Sequence, residues 1–285
     1  MILATERCAD LSRLAGESLV ATATTAESWL LIEVPGTWPR DVSAAGALPV
    51  DAHRAVSAWL ERTPRARALF LRKPGGRAAA QTLAFVVRAE ESAGETRRLE
   101  VASHDELATV DFDTDGEPVE GQLVLVCGHG TRDACCALLG TAVYSVLSRR
   151  LGEEELWISS HHGGHRFAGN VLVLPHGIHL GRVEPDDALL VTGRATAGEI
   201  ELGHYRGRTC YDPPVQAAEH AIRASAGLDR IEDLRLLGAE SSSVRFRSSG
   251  GRDYAAIVEE TVGPPVPASC GAEPQAQKVF TARVL

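Results

Sequence analysis

An α/β fold built on an internal duplication is what this sequence predicts, and three observations carry the prediction. Short, strongly apolar runs alternate with segments of helical spacing. The order strand, loop, helix, strand pair occurs twice. The first strand of each pass also leaves in the same way, "LLIEVPGTWPRD" (30–41) resembling "LVLVCGHGTRD" (123–133), each ending in Arg-Asp.

In the first pass, "SWLLIEVP", starting at Ser28, is a buried strand closed by Pro35 and Gly36. "DAHRAVSAWLERT" (51–63) places Ala52, Ala55, Val56, Trp59 and Leu60 on one helical face. "RALFLRKPGGR" and "QTLAFVVRAEE" read as two strands around a Pro-Gly-Gly turn. The polar stretch 92–120 reads as a linker. In the second pass, "QLVLVC" (122–127) is a buried strand and 134–152 a helix, with Asp133 as N-cap and Gly152 as stop. "ELWISS" is another strand, and "NVLVLP" with "IHLGRV" forms a hairpin. Beyond residue 188, a helix enters through Asp212 and Pro213 and stops at Gly227. "SVRFRSSGGRDYAAIVEE" then reads as a hairpin in a small C-terminal module.

The chain has 285 residues, 44% hydrophobic and 24% charged, enough for one large or two smaller cores. Its 38 acids against 29 bases give a net charge of −9, which argues against a nucleic-acid partner. No run approaches the roughly 20 apolar residues of a membrane span. The N-terminus "MILATERCADLSRLAGE" shows no leader pattern, so a cytoplasmic protein is expected. Of the six cysteines, Cys127, Cys135 and Cys136 lie within ten positions. In a reducing compartment, such clustering points to metal or redox chemistry rather than to disulfides.

Two pairs stand out as metal ligands: Cys127 with Cys136 (or Cys135), and His161 with His165. Cys127 ends a strand and Cys136 lies in the first turn of a helix, where the helix N-terminus favours a thiolate. Gly163-Gly164 between the histidines favours a tight loop over an ion rather than a helix. Two thiolates and two imidazoles suit either zinc or a 2Fe–2S cluster, and spacing alone leaves both open.

"CGHGTRDACC" followed by "HHGGHRFAGNVLVLPHG" resembles the sucrase/ferredoxin-like family of thioredoxin-like ferredoxins with bis-histidine ligation. "WLLIEVPGTWPRD", "YRGRTCYDPPVQAAEHAIR" and "PASCG" extend the likeness over nearly the whole chain. The resemblance implies two thioredoxin-like units in tandem: a degenerate one at 1–115 and a cluster-bearing one at 116–190. A small α+β module follows at 191–285. It implies a 2Fe–2S cluster on Cys127, Cys136, His161 and His165, with Cys135 unused and His162 in a variable slot that leaves an alternative ligand open. Pro35 and Gly36 stand where the first unit would carry cysteines, so that unit is expected to be empty.

The function expected from this is an electron carrier rather than an enzyme, with a potential of roughly −150 to +300 mV that depends on pH. Its expected partner is a redox protein such as a flavin-containing reductase. A zinc-binding interaction module and a thioredoxin-type thiol oxidoreductase are the alternatives. No carboxylate pair suited to glycoside hydrolysis is found. Arg132 and Arg166 flank the two ligand loops, and Arg206 and Arg208 either face an anionic partner or serve the structure. Cys8, Cys210 and Cys270 are expected to be isolated thiols.

Overall fold

The computed structural model describes residues 7–43, 46–76 and 81–285. Residues 1–6, at the head of the segment read for a leader, and 77–80, within the expected strand–turn–strand, lie outside that range. The chain is a mixed α/β protein with one ten-stranded sheet and a second, four-stranded antiparallel sheet.

The first pass runs β1 (Ser28–Glu33), α2 (Val50–Arg62), β2 (Ala66–Arg72), β3 (Thr82–Ala89) and β4 (Gly94–Val101), preceded by the short helix α1 (Cys8–Leu14). β1 pairs in parallel with β2 and antiparallel with β3, which pairs antiparallel with β4. The expected β2–β3 pairing is therefore corrected. The crossover through α2 lays β2 beside β1, leaving the other edge of β1 for β3. The expected linker at 92–120 is corrected too, because β4 and the two-residue β5 (Glu117–Pro118) extend the sheet there.

The second pass repeats this plan with β6 (Leu123–Cys127), α3 (Ala134–Leu147), β7 (Leu156–Ser159), β8 (Val171–Leu174) and β9 (Ile178–Leu180). β6 is parallel to β7 and antiparallel to β8, which pairs antiparallel with β9. The order β7-β6-β8-β9 thus reproduces β2-β1-β3-β4, and antiparallel pairing of β2 with β7 joins the halves. α3 ends at Leu147, short of the expected Gly152.

Alternation along the strands explains why both faces are apolar. In β1, Leu30 and Ile32 pack with Ala52, Val56 and Trp59 of α2, while Trp29 and Leu31 join Phe85, Trp157 and Leu172 on the opposite face. Burying each such side chain contributes about 1.5–3 kcal/mol.

After α4 (Ala188–Thr196), β10 (Tyr205–Arg208) pairs with β9 at the sheet edge. α5 (Pro213–Ala226) follows and ends at Gly227 in the left-handed conformation. Asp212 precedes α5 but does not cap it; its carboxylate pairs with Arg65 instead. α5 packs Ala218 and Ile222 against Val244, Phe246 and Ala256 of the second sheet. That sheet consists of β11 (Leu234–Glu240), β12 (Ser243–Ser248), β13 (Asp253–Pro267) and β14 (Pro274–Val284). No helix among the described residues is long and apolar enough to cross a membrane.

Candidate metal centre

β6 is buried along its whole length and delivers Cys127 to the top of the sheet. Asp133 caps α3 by accepting a hydrogen bond from the Cys135 backbone N–H at 2.8 Å. One turn further on, Gly140 lets the helix lie directly on the strand end. A Cβ there would stand 2.0 Å from the Cys127 carbonyl oxygen. This close approach brings Cys136, in the first turn, beside Cys127.

The opposing loop contributes the histidines. His161 Nδ1 lies 3.8 Å from Cys127 Sγ and 3.9 Å from Cys136 Sγ, while His165 Nδ1 lies 3.3 Å from Cys136 Sγ. The two imidazoles stack with centroids 3.6 Å apart and planes 19° from parallel. Burial pushes both toward the neutral, lone-pair-bearing form, with His165 lowered to about 4. All four residues named from the sequence thus converge.

Several details differ from expectation. The hydrogen bond from Cys136 lowers the Cys127 thiol, whereas that same bond, together with burial, raises Cys136 well above the ordinary thiol range. Of the pair, the strand cysteine is the one shifted toward the thiolate and the helix cysteine the one shifted away from it. Cys135 is no alternative to Cys136. Neighbouring helix positions project about 100° apart, and its sulfur turns toward Cys8 and Cys270. His162 also turns away, reaching His179 at 3.0 Å in a fully buried pair.

Gly163 and Gly164 both adopt left-handed backbone, but the groups closing on them are Thr24 and Arg206 rather than the sulfurs. Arg206, 2% exposed, donates to the Gly163 carbonyl, to Asn170 Oδ1 and to the Thr22 carbonyl, and so fixes the loop from behind. Burial lowers its pKa to about 9. Arg208 is buried as well, on the carbonyls of Glu90, Glu91 and His176. Arg166 pairs with Glu17 at 2.7 Å, and Arg132 reaches the Arg40 carbonyl.

Sequence reasoning missed the cover over this centre. His129 Nδ1 accepts the His161 backbone N–H at 3.2 Å, and its Nε2 bonds the Pro39 carbonyl at 2.9 Å. Trp38 packs edge-on against the His129 ring. The first-pass loop therefore braces the second-pass site. A cavity of about 340 Å³, lined in part by Arg40, His53, Phe70, Arg132 and His161, opens beside it. The only signal for this in the sequence was the shared Arg-Asp exit of the two loops.

The family described as sucrase/ferredoxin-like matches residues 19–207. The C-terminal likeness read from Arg208 onward lies outside that match. Among curated relatives, "Altered inheritance of mitochondria protein 32" from Meyerozyma guilliermondii is 33% identical over 101 residues, 32% of this chain and 36% of the relative. The protein of the same name from Eremothecium gossypii is 36% identical over 107 residues, 37% of this chain and 34% of the relative. The chain thus spans about a third of the length of these relatives. No solved structure matches it significantly.

These relatives overturn the expected electron carrier, together with its zinc-module and thiol-oxidoreductase alternatives. Their name records altered inheritance of mitochondria, not carriage of electrons, and the family description goes no further than sucrase/ferredoxin-like.

Proposed function

Since the chain belongs to the sucrase/ferredoxin-like family, we propose that it is a metal-binding protein whose centre is held by Cys127, Cys136, His161 and His165. The observation that carries this reading is the convergence of two sulfurs and two imidazole nitrogens, each His Nδ1 lying 3.3–3.9 Å from a cysteine sulfur. A single buried thiol can serve as a packing group, but two neutral imidazoles stacked against two sulfurs leave ring nitrogens that need partners.

We read the group as a 2Fe–2S cluster, the sulfur pair serving one iron and the stacked imidazole pair the other. A single zinc ion is the second reading, and one observation favours it. A tetrahedron with Zn–S of about 2.3 Å and Zn–N of about 2.0 Å has S···N edges of about 3.6 Å, within the observed range. A two-iron cluster would hold the same four donors with the sulfur pair and the nitrogen pair drawn further apart on binding. Bound there, either group supplies coordination bonds that tie strand, helix and loop together. Cys127 and Cys136 hold the sulfur side, His161 and His165 the nitrogen side, and His129 and Arg206 orient the loop.

The two halves are read as tandem thioredoxin-like units, 1–115 and 116–190, ahead of a module at 191–285. Their repeated strand order supports that reading.

Iron, acid-labile sulfide and zinc should be measured on anaerobically purified protein, alongside its optical spectrum. Iron and sulfide in equal amounts with a red-brown colour are expected for the cluster, and a colourless zinc protein for the second reading. Metal content unchanged in both Cys127→Ser and His165→Ala would overturn the centre itself.

A further inference from the structure

A second convergence of donors lies on the far side of the α3 N-terminus. Cys8 comes from α1, Cys135 from the first turn of α3, and Cys270 from the turn between β13 and β14, bringing together three distant parts of the chain. Their sulfurs form a near-equilateral triangle with sides of 3.7 Å (Cys8–Cys135), 3.4 Å (Cys135–Cys270) and 3.7 Å (Cys270–Cys8). The Asp133 carboxylate closes the figure, with oxygens 3.8 Å from Cys8 Sγ and 3.6 Å from Cys270 Sγ. All three thiols are free. A disulfide brings two sulfurs to about 2.05 Å and pairs them; it has no place for a third at equal distance.

Such a figure does match a tetrahedral ion. With Zn–S of about 2.3 Å and Zn–O of about 2.0–2.2 Å, the edges are about 3.8 Å between sulfurs and about 3.6 Å from sulfur to oxygen. The carboxylate is already oriented: Oδ1 accepts the Cys135 N–H and Oδ2 the Cys270 N–H, each at 2.8 Å. Each oxygen keeps a lone pair for a ligand, while the two N–H bonds hold the carboxylate in place. Three soft sulfurs select zinc over magnesium or calcium.

We propose that Cys8, Cys135, Cys270 and Asp133 form a separate, structural zinc site that clamps α1 and the β13–β14 turn onto the start of α3. The clamp bears on the first centre through its neighbours. Cys135 is adjacent to Cys136, and α1 packs on the short turn His165–Phe167 that carries His165. Apolar Ala9, Leu139 and Ala168 pack around the triangle. Uptake of the ion displaces the protons held by the thiols.

The test uses the full chain carrying Cys127→Ser and His161→Ala, which empties the first centre, stripped of metal and titrated with cobalt(II). One equivalent should give intense thiolate-to-cobalt absorption and tetrahedral visible bands, bleached by zinc. Adding Cys8→Ser and Cys270→Ser should abolish both, while Cys210→Ser, at a cysteine outside either cluster, should change nothing. Circular dichroism verifies folding, and Cys270→Ala alone, at a half-buried turn position, repeats the test with least disturbance. A folded background variant that takes up no cobalt would overturn the site. So would uptake that survives loss of Cys8 and Cys270, or a Cys135–Cys270 disulfide in protein isolated under reducing conditions. Loss of the first centre's metal alone leaves this result untouched, so the two proposals fail separately.

Discussion

The two passes of the large sheet can be compared position by position at the corner where strand gives way to helix. In the first, α2 places Ala52 third and Val56 seventh, both buried against β1 and β2. In the second, α3 places Cys136 third and Gly140 seventh. Valine at the seventh position holds the helix at ordinary packing distance. Glycine there lets α3 settle onto the Cys127 carbonyl, which puts the third residue within reach of the strand's last. One corner thus becomes a ligand cradle, while its counterpart, through Trp38 and Pro39, becomes the cover. A duplicated fold can divide one site between its copies with few residue changes at matching positions.

The comparison can be broken most sharply by making the second corner resemble the first. Gly140→Val puts side-chain carbon where the Cys127 carbonyl stands, and overpacking against backbone should cost more than about 3 kcal/mol. Urea denaturation should show that loss together with loss of the first centre's metal; metal retained on Cys127 and Cys136 would mean that helix–strand distance does not set the site. Removing the cover comes next. Trp38→Ala should cost about 3 kcal/mol but leave metal bound, because Trp38 touches the centre only through His129.

A pH series follows in size. His179 is fully buried beside Arg206 and His162, and burial holds its folded pKa well below the ordinary 6.5. Below about pH 6.5 the unfolded chain takes up a proton that the folded one refuses, so stability falls as pH falls, by at most about 1.4 kcal/mol per pH unit for this group. Denaturant midpoints between pH 7 and 5 should fall at least that steeply, because burial lowers His161, His162 and His165 in the same way, and His179→Gln should remove one group's share of the slope. The smallest effect on stability is expected from Cys136→Ala, which copies Ala52. Metal-free unfolding should shift by less than about 1.5 kcal/mol, while the metal of the first centre is lost.

Much of the fold was legible because apolar runs and their punctuation are local signals. β1, α2, β6, β8 and α5 were all readable in this way. β4 was not: "GETRRLEV" buries only Thr96, Leu99 and Val101, and its charged residues read as linker. The converging quartet was legible as two short-range pairs, whereas Cys8 and Cys270 belong to no spacing pattern. The doublet Cys135-Cys136 was the available clue, since adjacent helix residues face different neighbours.

By itself the sequence determined most strand and helix segments, the duplicated order and the two Cys and His pairs that converge, because each depends on residues close together along the chain. Only the tertiary structure decided that β1 lies between β2 and β3, that Cys135 and Cys136 face opposite ways into separate clusters, and that the first loop covers the second site. Those outcomes depend on contacts between segments as much as 262 residues apart. Such contacts form when sheet pairing and close helix packing bury apolar surface, and no local pattern encodes that geometry.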